Sequence, residues 1–561
     1  MKMNLLRTVL AGSVALLLGS GLAFGQAPAV TTAQGKAAGK LVRNGTQKAF
    51  LGLPYAAPPV GDLRWKAPRQ PLAWTGVRDA TKFGARCEQW HIWDDYIFQD
   101  AGPSEDCLFL NVYTPAKAKP TGKLPVMVWI HGGGFIAGAG SEPRYSDSPL
   151  VDRGVVLVTL NYRLGVFGFL ATDDLAKENG GHAGNYGLMD MVAALQWVKA
   201  NIAAFGGDPN NVTIFGESAG SFAVSTLTAV PSAQGLFHKV IGESGALFNG
   251  AIPMGSLEQR GKRDQAWADG TGAKTLPELR AISADKILDA AKNGKGIGFS
   301  PVLDGQFLPQ SAPDAYAAGH QAHVPAIIGW NHDERTGTLS KDMTAEKWKA
   351  YATEHYGTHA QDFLKAFPGD TDEQAIHSAD DLTTAQFIGL ATWRWAEAAV
   401  ATGKVPVYRY SFDQPSPPER LHPIAKAFHS AELEYVFGTQ NVRQGATWQP
   451  EDRTLSRQMM DYWTNFAKTG NPNGAGLPKW PRYDADSAIL HLEKTITAGP
   501  DPNRAKYQFL STTEPERICA ICIARSGFPI TWSWQYSHRS TVRWLMRRSR
   551  RVRHFVPSPG L

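Results

Sequence analysis

The sequence predicts an α/β fold in which a large, mostly parallel, twisted central sheet carries helices on both faces. Two observations support this prediction. Short apolar runs alternate with longer amphipathic stretches from about residue 50 to 512, and helical spacing follows several of the runs. Strands that are apolar throughout are typical of a sheet covered on both sides, and such a sheet places its chemistry at the carboxyl ends of its strands.

The elements of this fold can be assigned along the chain. Residues 26–50 are polar and glycine-rich, and we expect a short strand-forming lead-in there. Five apolar runs are the predicted strands: Val126–Ile130, Val155–Leu160, Val212–Phe215, Ala326–Gly329 and Val405–Tyr410. Helical spacing places four apolar residues on one face of a predicted helix: Leu188, Val192, Leu195 and Val198. The stretches 250–300 and 335–400 are candidates for a cap over the active site.

Composition excludes several other classes of protein. The chain has 561 residues, of which 43% are apolar and 19% charged, and this balance is globular rather than disordered. Four cysteines are too few for a disulfide scaffold. The only long apolar run lies at the extreme N-terminus, which excludes a polytopic membrane protein.

The N-terminus has the pattern of a secretory signal peptide. Lys2 and Arg7 precede the apolar run 9–18, and small residues at Ala23 and Gly25 suit a signal-peptide cleavage site. A membrane anchor is the alternative, but a run of about ten apolar residues is too short to span a bilayer. We therefore predict that residues 1–25 are removed and that the protein is exported, periplasmic or secreted, with no integral membrane segment after cleavage.

The formal net charge of +6 comes from the two ends of the chain. Residues 517–561 contain nine Arg and no acidic residue, and the leader adds two positive charges, so residues 26–516 carry a net charge of −5. We therefore expect no nucleic-acid partner, and the acidic body favours neutral or cationic substrates over anionic ones. We interpret the Arg-rich extension, residues 513–561, as poorly ordered, with an interaction arm as the alternative.

A candidate nucleophile follows the third predicted strand. The segment 216–220 reads Gly-Glu-Ser-Ala-Gly, and such a sequence after a strand is typical of a strand–turn–helix elbow that holds Ser218 Oγ at the edge of the sheet. The segment 242–246 reads Gly-Glu-Ser-Gly-Ala and lacks the final glycine. We interpret Ser244 in this second segment as a structural loop residue.

A candidate oxyanion-binding loop follows the first predicted strand. Residues 131–135 read His-Gly-Gly-Gly-Phe, as expected of the loop that donates backbone N–H groups to a substrate oxyanion. Glycines let such N–H groups approach a ligand without an intervening Cβ. A flexible turn is the alternative, but two glycine motifs after two strands favour the catalytic interpretation.

Six segments together resemble the type-B carboxylesterases, the family of α/β-hydrolases that includes the cholinesterases. They are Phe50–Trp65, Ser104–Pro115, Asn161–Gly165, Gly184–Asp190, Phe205–Asn210 and Val212–Gly220. The segments occur in the family's order, and the resemblance covers about residues 35–512. It implies the α/β-hydrolase fold, with loop and helical insertions over the active site, for a domain at residues 26–512.

The resemblance also implies the other two members of a catalytic triad. The segment 329–335 is similar to the family loop that carries the acid and places Glu334 at that position, with Asp333 as the alternative; Arg335 stands where the family has glycine. The segment 428–438 is similar to the loop with the catalytic histidine, here His429. The triad expected from the resemblance is therefore Ser218, Glu334 and His429, in the order usual for α/β-hydrolases.

By the same resemblance, the oxyanion hole is formed by the N–H groups of Gly133, Gly134 and Ala219. His131 is interpreted as shaping the glycine loop rather than as a second base. Glu217 is interpreted as a buried hydrogen-bonding partner rather than as a catalytic residue.

The family's first disulfide corresponds to Cys87 and Cys107, which enclose a loop of 19 residues. Its aromatic residues could line the pocket mouth or simply pack, and the sequence leaves both open: Trp90, Trp93, Tyr96 and Phe98. Cys519 and Cys522 form a lone pair in the C-terminal extension, to which we assign no function.

These observations lead to a hypothesis of an exported serine hydrolase that cleaves small-molecule carboxylic esters and needs no metal or organic cofactor. One alternative is a catalytically silent adhesion or binding protein of the same fold, but silent relatives lose triad residues that are present here. An amidase or acyltransferase with the same triad is the other. The sequence indicates neither the natural substrate nor the oligomeric state.

Overall fold

The computed structural model describes residues 27–250, 254–293, 298–484 and 488–513. The leader and nearly all of the C-terminal extension, with Cys519 and Cys522, lie outside these ranges. The strands within them are β1 (Ala29–Thr32), β2 (Gly35–Ala38), β3 (Lys40–Val42), β4 (Gln47–Pro54), β5 (Val77–Asp79), β6 (Arg86–Cys87), β7 (Pro103–Ser104), β8 (Phe109–Pro115), β9 (Leu124–Ile130), β10 (Val156–Leu160), β11 (Gly207–Glu217), β12 (Lys239–Glu243), β13 (Ala326–Asn331), β14 (Val407–Phe412), β15 (Ala488–Leu492) and β16 (Thr497–Pro500).

The α-helices of the same ranges are α1 (Gly165–Phe169), α2 (Asp173–Glu178), α3 (Tyr186–Asn201), α4 (Ala219–Leu227), α5 (Leu257–Gly270), α6 (Leu276–Ala281), α7 (Ala284–Asn293), α8 (Ala312–Ala318), α9 (Ala345–Tyr356), α10 (Ala360–Ala366), α11 (Asp372–Thr384), α12 (Leu390–Ala401), α13 (Leu433–Phe437) and α14 (Pro450–Thr469). A π-helical turn, Ala385–Gly389, joins α11 to α12. None of these helices is long and apolar enough to cross a membrane.

Eleven of the described strands form one mixed sheet in the order β16-β15-β14-β13-β12-β11-β9-β10-β8-β4-β3. The seven strands from β15 to β10 are parallel, and the pairings outside them are antiparallel. All five predicted strands are in this parallel part. The prediction for β14 began and ended two residues early, and β12 was not predicted.

Each face of the sheet has its own apolar core because successive side chains of a strand point to opposite faces. In β9, Val126, Val128 and Ile130 lie in one core, whereas Met127 and Trp129 lie in the other. The predicted helix is α3, and it covers the first face; α14 covers the second, with Met459, Trp463 and Phe466. The sheet is therefore covered on both sides, as predicted.

The carboxyl ends of the central strands meet at one edge of the sheet. The glycine loop 131–135 follows β9, and the Gly-Glu-Ser segment 216–218 ends β11 and turns into α4. The segment 332–335 follows β13. Residues far apart in the chain therefore converge at this edge.

Candidate active site

Ser218 is held in a strained turn between β11 and α4. Its φ and ψ are 55° and −122°, a backbone conformation that residues with a Cβ rarely adopt. The Ser218 N–H donates to the carbonyl oxygen of Glu243 in the neighbouring strand, over 2.9 Å. This bond ties the turn to β12, as expected where surrounding contacts stabilise a strained functional residue.

Gly216 and Gly220, on either side of Ser218, are both needed because β9 lies very close to them. A Cβ at Gly220 would lie 1.9 Å from the carbonyl oxygen of Ile130, and a Cβ at Gly216 would lie 2.6 Å from the same atom. Neither space accommodates a methyl group, so the two glycines let α4 and β11 pack directly on the backbone of β9.

Ser218, His429 and Glu334 form one hydrogen-bonded line. Ser218 Oγ lies 2.9 Å from His429 Nε2, and His429 Nδ1 lies 2.5 Å from Glu334 Oε2. The Glu334 side chain is fully buried, and its Oε1 accepts the N–H of Asn331 over 2.8 Å. With Nδ1–H donating to Glu334, the free lone pair of Nε2 points at the serine hydroxyl, which is the arrangement of a general base beside a nucleophile.

The structure brings Glu334, and not Asp333, against the imidazole. Asp333 accepts the N–H of Ala427 over 3.0 Å and lies 3.1 Å from His332 Nδ1. Arg335, in the position of the family's glycine, places its guanidinium 5.6 Å from the ring centre of Phe387.

Two further carboxylates act on His429. Glu217 Oε1 lies 3.2 Å from His429 Nε2 and accepts the hydroxyl of Ser430 over 2.6 Å, which agrees with its interpretation as a buried hydrogen-bonding partner. Glu432 Oε2 accepts a hydrogen bond from the Nδ2–H of Asn331 over 2.6 Å. Burial lowers the pKa of His429, but Glu217 and Glu334 together outweigh burial and raise that pKa to about 9.

The glycine loop that carries the predicted oxyanion residues Gly133 and Gly134 packs against Ser218 through Gly132. A Cβ on Gly132 would stand 3.1 Å from Ser218 Cβ, so the glycine loop packs directly on the nucleophile. Gly133 and Gly134 have φ of 101° and 62°, and in the described part of the chain neither N–H donates a hydrogen bond. Ala219 begins α4, where a backbone N–H has no partner within the helix.

His131 is buried beneath this loop. Its ring stacks on Tyr162 with ring centres 4.4 Å apart, and its Nδ1–H donates to the carbonyl oxygen of Gly132 over 2.8 Å. Burial lowers the pKa of His131 to about 4, so the ring is neutral at neutral pH. These contacts agree with a residue that shapes the loop.

Cys87 and Cys107 are joined by a disulfide, and the loop between them contributes to the site. A Cβ at Gly133 would lie 3.2 Å from Tyr96 Oη, and one at Gly134 would lie 4.0 Å from the ring of Trp93. Trp90 instead donates its Nε1–H to the carbonyl oxygen of Leu288 in α7. Trp93 and Tyr96 therefore lie beside the glycines, whereas Trp90 packs against α7.

Several residues of the site were missed from the sequence. Phe387, in the π-helical turn between α11 and α12, presents its ring edge-on to His429 with centres 5.2 Å apart. No local signal identifies it, because the approach depends on how the helices dock. Glu432 and Asn331 could have been suspected, since they lie within three residues of His429 and Glu334, respectively.

In the described residues, no group of three or more His, Cys, Asp or Glu side chains is arranged to hold a metal ion. The chemistry that the geometry supports directly is that of an activated serine hydroxyl.

Comparisons with known proteins concern nearly the whole chain. The profile described as "Carboxylesterase family" matches residues 26–510. The para-nitrobenzyl esterase of Bacillus subtilis (strain 168) is 39% identical over 510 residues, which cover 87% of this chain and 99% of that protein. Carboxylesterase 5A of Canis lupus familiaris is 38% identical over 524 residues, covering 86% and 87%. A solved structure of PNB esterase superimposes with a TM-score of 0.72 at 36% identity, covering 86% of this chain and 99% of that one.

Proposed function

Because the chain belongs to the carboxylesterase family, has the α/β-hydrolase fold and is a carboxylic ester hydrolase, we propose that it cleaves its substrates through an acyl-enzyme on Ser218. The observation that carries this proposal is the hydrogen-bonded line from Ser218 Oγ through His429 to Glu334. The substrates are small-molecule esters.

In the first half of the reaction, Ser218 Oγ attacks the ester carbonyl while His429 Nε2 takes the hydroxyl proton. Glu334 stabilises the imidazolium that forms. The carbonyl oxygen becomes an oxyanion, which the N–H groups of Gly133, Gly134 and Ala219 bind. The tetrahedral intermediate then collapses, His429 gives its proton to the departing alcohol, and the acyl group remains on Ser218.

In the second half, a water molecule attacks the acyl-enzyme and His429 takes its proton. The second tetrahedral intermediate uses the same oxyanion hole. His429 then returns the proton to Ser218 Oγ, the carboxylic acid leaves, and the enzyme is restored. No oxidant, reductant or cofactor is required for these steps.

Hydrolysis of a p-nitrophenyl ester series of increasing acyl length by the full chain tests the proposal, with Ser218→Ala as the control. We expect release of p-nitrophenol that is lost in the control, and a chain-length profile that reports the size of the acyl pocket. An organophosphonate should add to Ser218 and be found there by mass spectrometry. Near-native turnover by Ser218→Ala would exclude the mechanism.

The same assay separates the alternatives. A correctly folded protein with neither turnover nor a phosphonate adduct would indicate a silent binding protein. Faster turnover of the matching anilide than of the ester would indicate an amidase. Product partitioning toward an added alcohol at the expense of hydrolysis would indicate an acyltransferase.

We also propose that the enzyme works outside the cytoplasm. The leader at residues 1–25 supports this, and so does the Cys87–Cys107 disulfide, because disulfides persist mainly in oxidising compartments. Cell fractionation with N-terminal sequencing tests it. A mature chain beginning near Gln26 in the periplasm or medium is expected, and an intact Met1 in the cytoplasm would contradict it.

A further inference from the structure

Glu243 ends β12 directly beside the nucleophile turn, and the proposed mechanism does not use its side chain. It is fully buried, and its Oε1 accepts the indole N–H of Trp463 over 2.8 Å. Trp463 belongs to α14 on the second face of the sheet. Among the described residues, Glu243 Oε2 has no hydrogen-bond partner. Ile241 of β12 lies in the same core as Trp463, so the contact joins the end of β12 to the helix that covers this face of the sheet.

The backbone of Glu243 links its position to that of Ser218. Its carbonyl oxygen receives the Ser218 N–H over 2.9 Å, and the next residue, Ser244, donates its own N–H to Gly329 in β13 over 2.8 Å. The hydrogen bond to Trp463 holds the end of β12, and the end of β12 in turn holds the strained turn at Ser218. A shift of β12 by a fraction of an ångström would move Ser218 Oγ relative to His429.

The surroundings of Glu243 disfavour a negative charge. Glu217, which pairs with Glu243 across β11 and β12, raises the pKa of Glu243 through charge repulsion. A charge on Glu243 would in turn raise the pKa of Glu432 and of Tyr410. The imidazole of His429 interacts with Glu217 and Glu334 instead. A single indole N–H is a poor replacement for the water shell of an ionised carboxylate.

We propose that Glu243 is a positioning residue for Ser218 and that it acts as the uncharged acid, with Trp463 holding it in place. This rests on the proposed function, since it takes Ser218 as the nucleophile. Burial raises the pKa of Glu243 to about 8, in agreement with an uncharged side chain at neutral pH. Ionisation above that pH adds a buried charge and loosens the strand end.

Glu243→Gln and Glu243→Ala test the positioning role, with kcat and KM measured for p-nitrophenyl butyrate. Gln keeps the size and the acceptor for Trp463, so we expect it to retain most of kcat at pH 7. Ala removes the contact, and we expect kcat to fall about tenfold to a hundredfold with KM changed less than about twofold. Trp463→Phe should resemble Ala more than Gln.

The charge state is tested by the pH dependence of a ratio of kcat values and of a difference between Tm values. The ratio of wild-type kcat to Glu243→Gln kcat should fall above pH about 8, and titrations common to both proteins cancel in it. A carboxyl with a raised pKa stabilises the fold at low pH, and this contribution is lost as pH rises through its folded pKa. The Tm of Glu243→Gln minus that of the wild type should therefore increase from pH 5 to pH 8.5.

A large loss of kcat at pH 7 in folded Glu243→Gln, or a kcat ratio and a Tm difference that do not change with pH, would overturn the proposal. Equal kcat in the Ala variant and the wild type would overturn it as well. The Tm comparison does not depend on turnover. An inactive wild type whose Tm difference still grows with pH would therefore count against the proposed function, not against the uncharged Glu243.

Discussion

Two segments with nearly the same sequence lie side by side at the edge of the sheet. Gly216-Glu217-Ser218 ends β11, and Gly242-Glu243-Ser244 ends β12, with the glycines and the glutamates in register. Both serines have a left-handed backbone, with φ of 55° and 57°, and each donates its N–H to a carbonyl of the next strand. Similar local sequence is therefore accompanied by a positive φ at both serines.

The two turns differ in the side chains that contact them. Ser218 Oγ faces His429, and Glu217 contacts both His429 and Ser430. Ser244 Oγ is buried without a partner among the described residues, and Glu243 contacts Trp463 of α14. A strained serine after a strand is thus insufficient for a nucleophile, because the base must come from elsewhere in the fold.

The largest effect should come from exchanging each serine for alanine. Ser218→Ala removes the nucleophile and should lower kcat about 10⁴-fold or more. Ser244→Ala, the matched control, should change kcat by less than about tenfold, since its hydroxyl has no hydrogen-bond partner in the part of the chain that the structure describes. Steady-state kinetics on one p-nitrophenyl ester checks both. Comparable losses of kcat in the two variants would show that the contacts of Ser218 with His429 do not make it more important for turnover than Ser244.

The next effect concerns the acid that orients His429. Glu334→Gln keeps the shape of the side chain but removes the charge that stabilises the imidazolium, so kcat should fall about 10³- to 10⁴-fold. Asp333→Asn, its neighbour, should stay within about threefold of the wild type, because Asp333 contacts Ala427 and His332 instead. A reversed order of the two losses in kcat would assign the acid to Asp333.

A third effect tests why only the first segment ends in glycine. Gly220→Ala places a methyl group against the Ile130 carbonyl and should destabilise the protein by about 3 kcal/mol. Ala246→Gly, at the corresponding place in the second segment, should cost about 1 kcal/mol. Urea unfolding monitored by fluorescence measures both. Equal destabilisation would mean that β9 has room for a side chain at position 220.

The smallest effect distinguishes the two glutamates. The pKa of His429 is raised by the Glu217 carboxylate, so Glu217→Gln should lower it and make the base available at lower pH. The acid limb of kcat/KM should then move to lower pH, while Glu243→Gln should leave that limb in place. An acid limb that does not move in Glu217→Gln would indicate that Glu217 is already protonated where His429 titrates.

The fold was predictable because its signals are local. The strand Val126–Ile130 is apolar throughout, and Val212–Phe215 is apolar except for Thr213; this pattern is expected wherever a sheet is covered on both faces. The strand β12 was missed because Lys239-Val-Ile-Gly-Glu243 has only two strongly apolar residues, and its burial depends on neighbouring strands. Phe387 was missed for a similar reason, since the docking of α11 and α12 carries it to His429.

The sequence by itself determined the α/β fold class, five apolar strands of the sheet and the sharp turn at Ser218, because these features depend on residues adjacent in the chain. It named His429 and Glu334 only through resemblance to a family. The tertiary structure decided which serine meets the imidazole, which of Asp333 and Glu334 faces it, and which carboxylates surround it. Those outcomes depend on distances between segments about one hundred residues or more apart in the chain, and no local pattern encodes such distances.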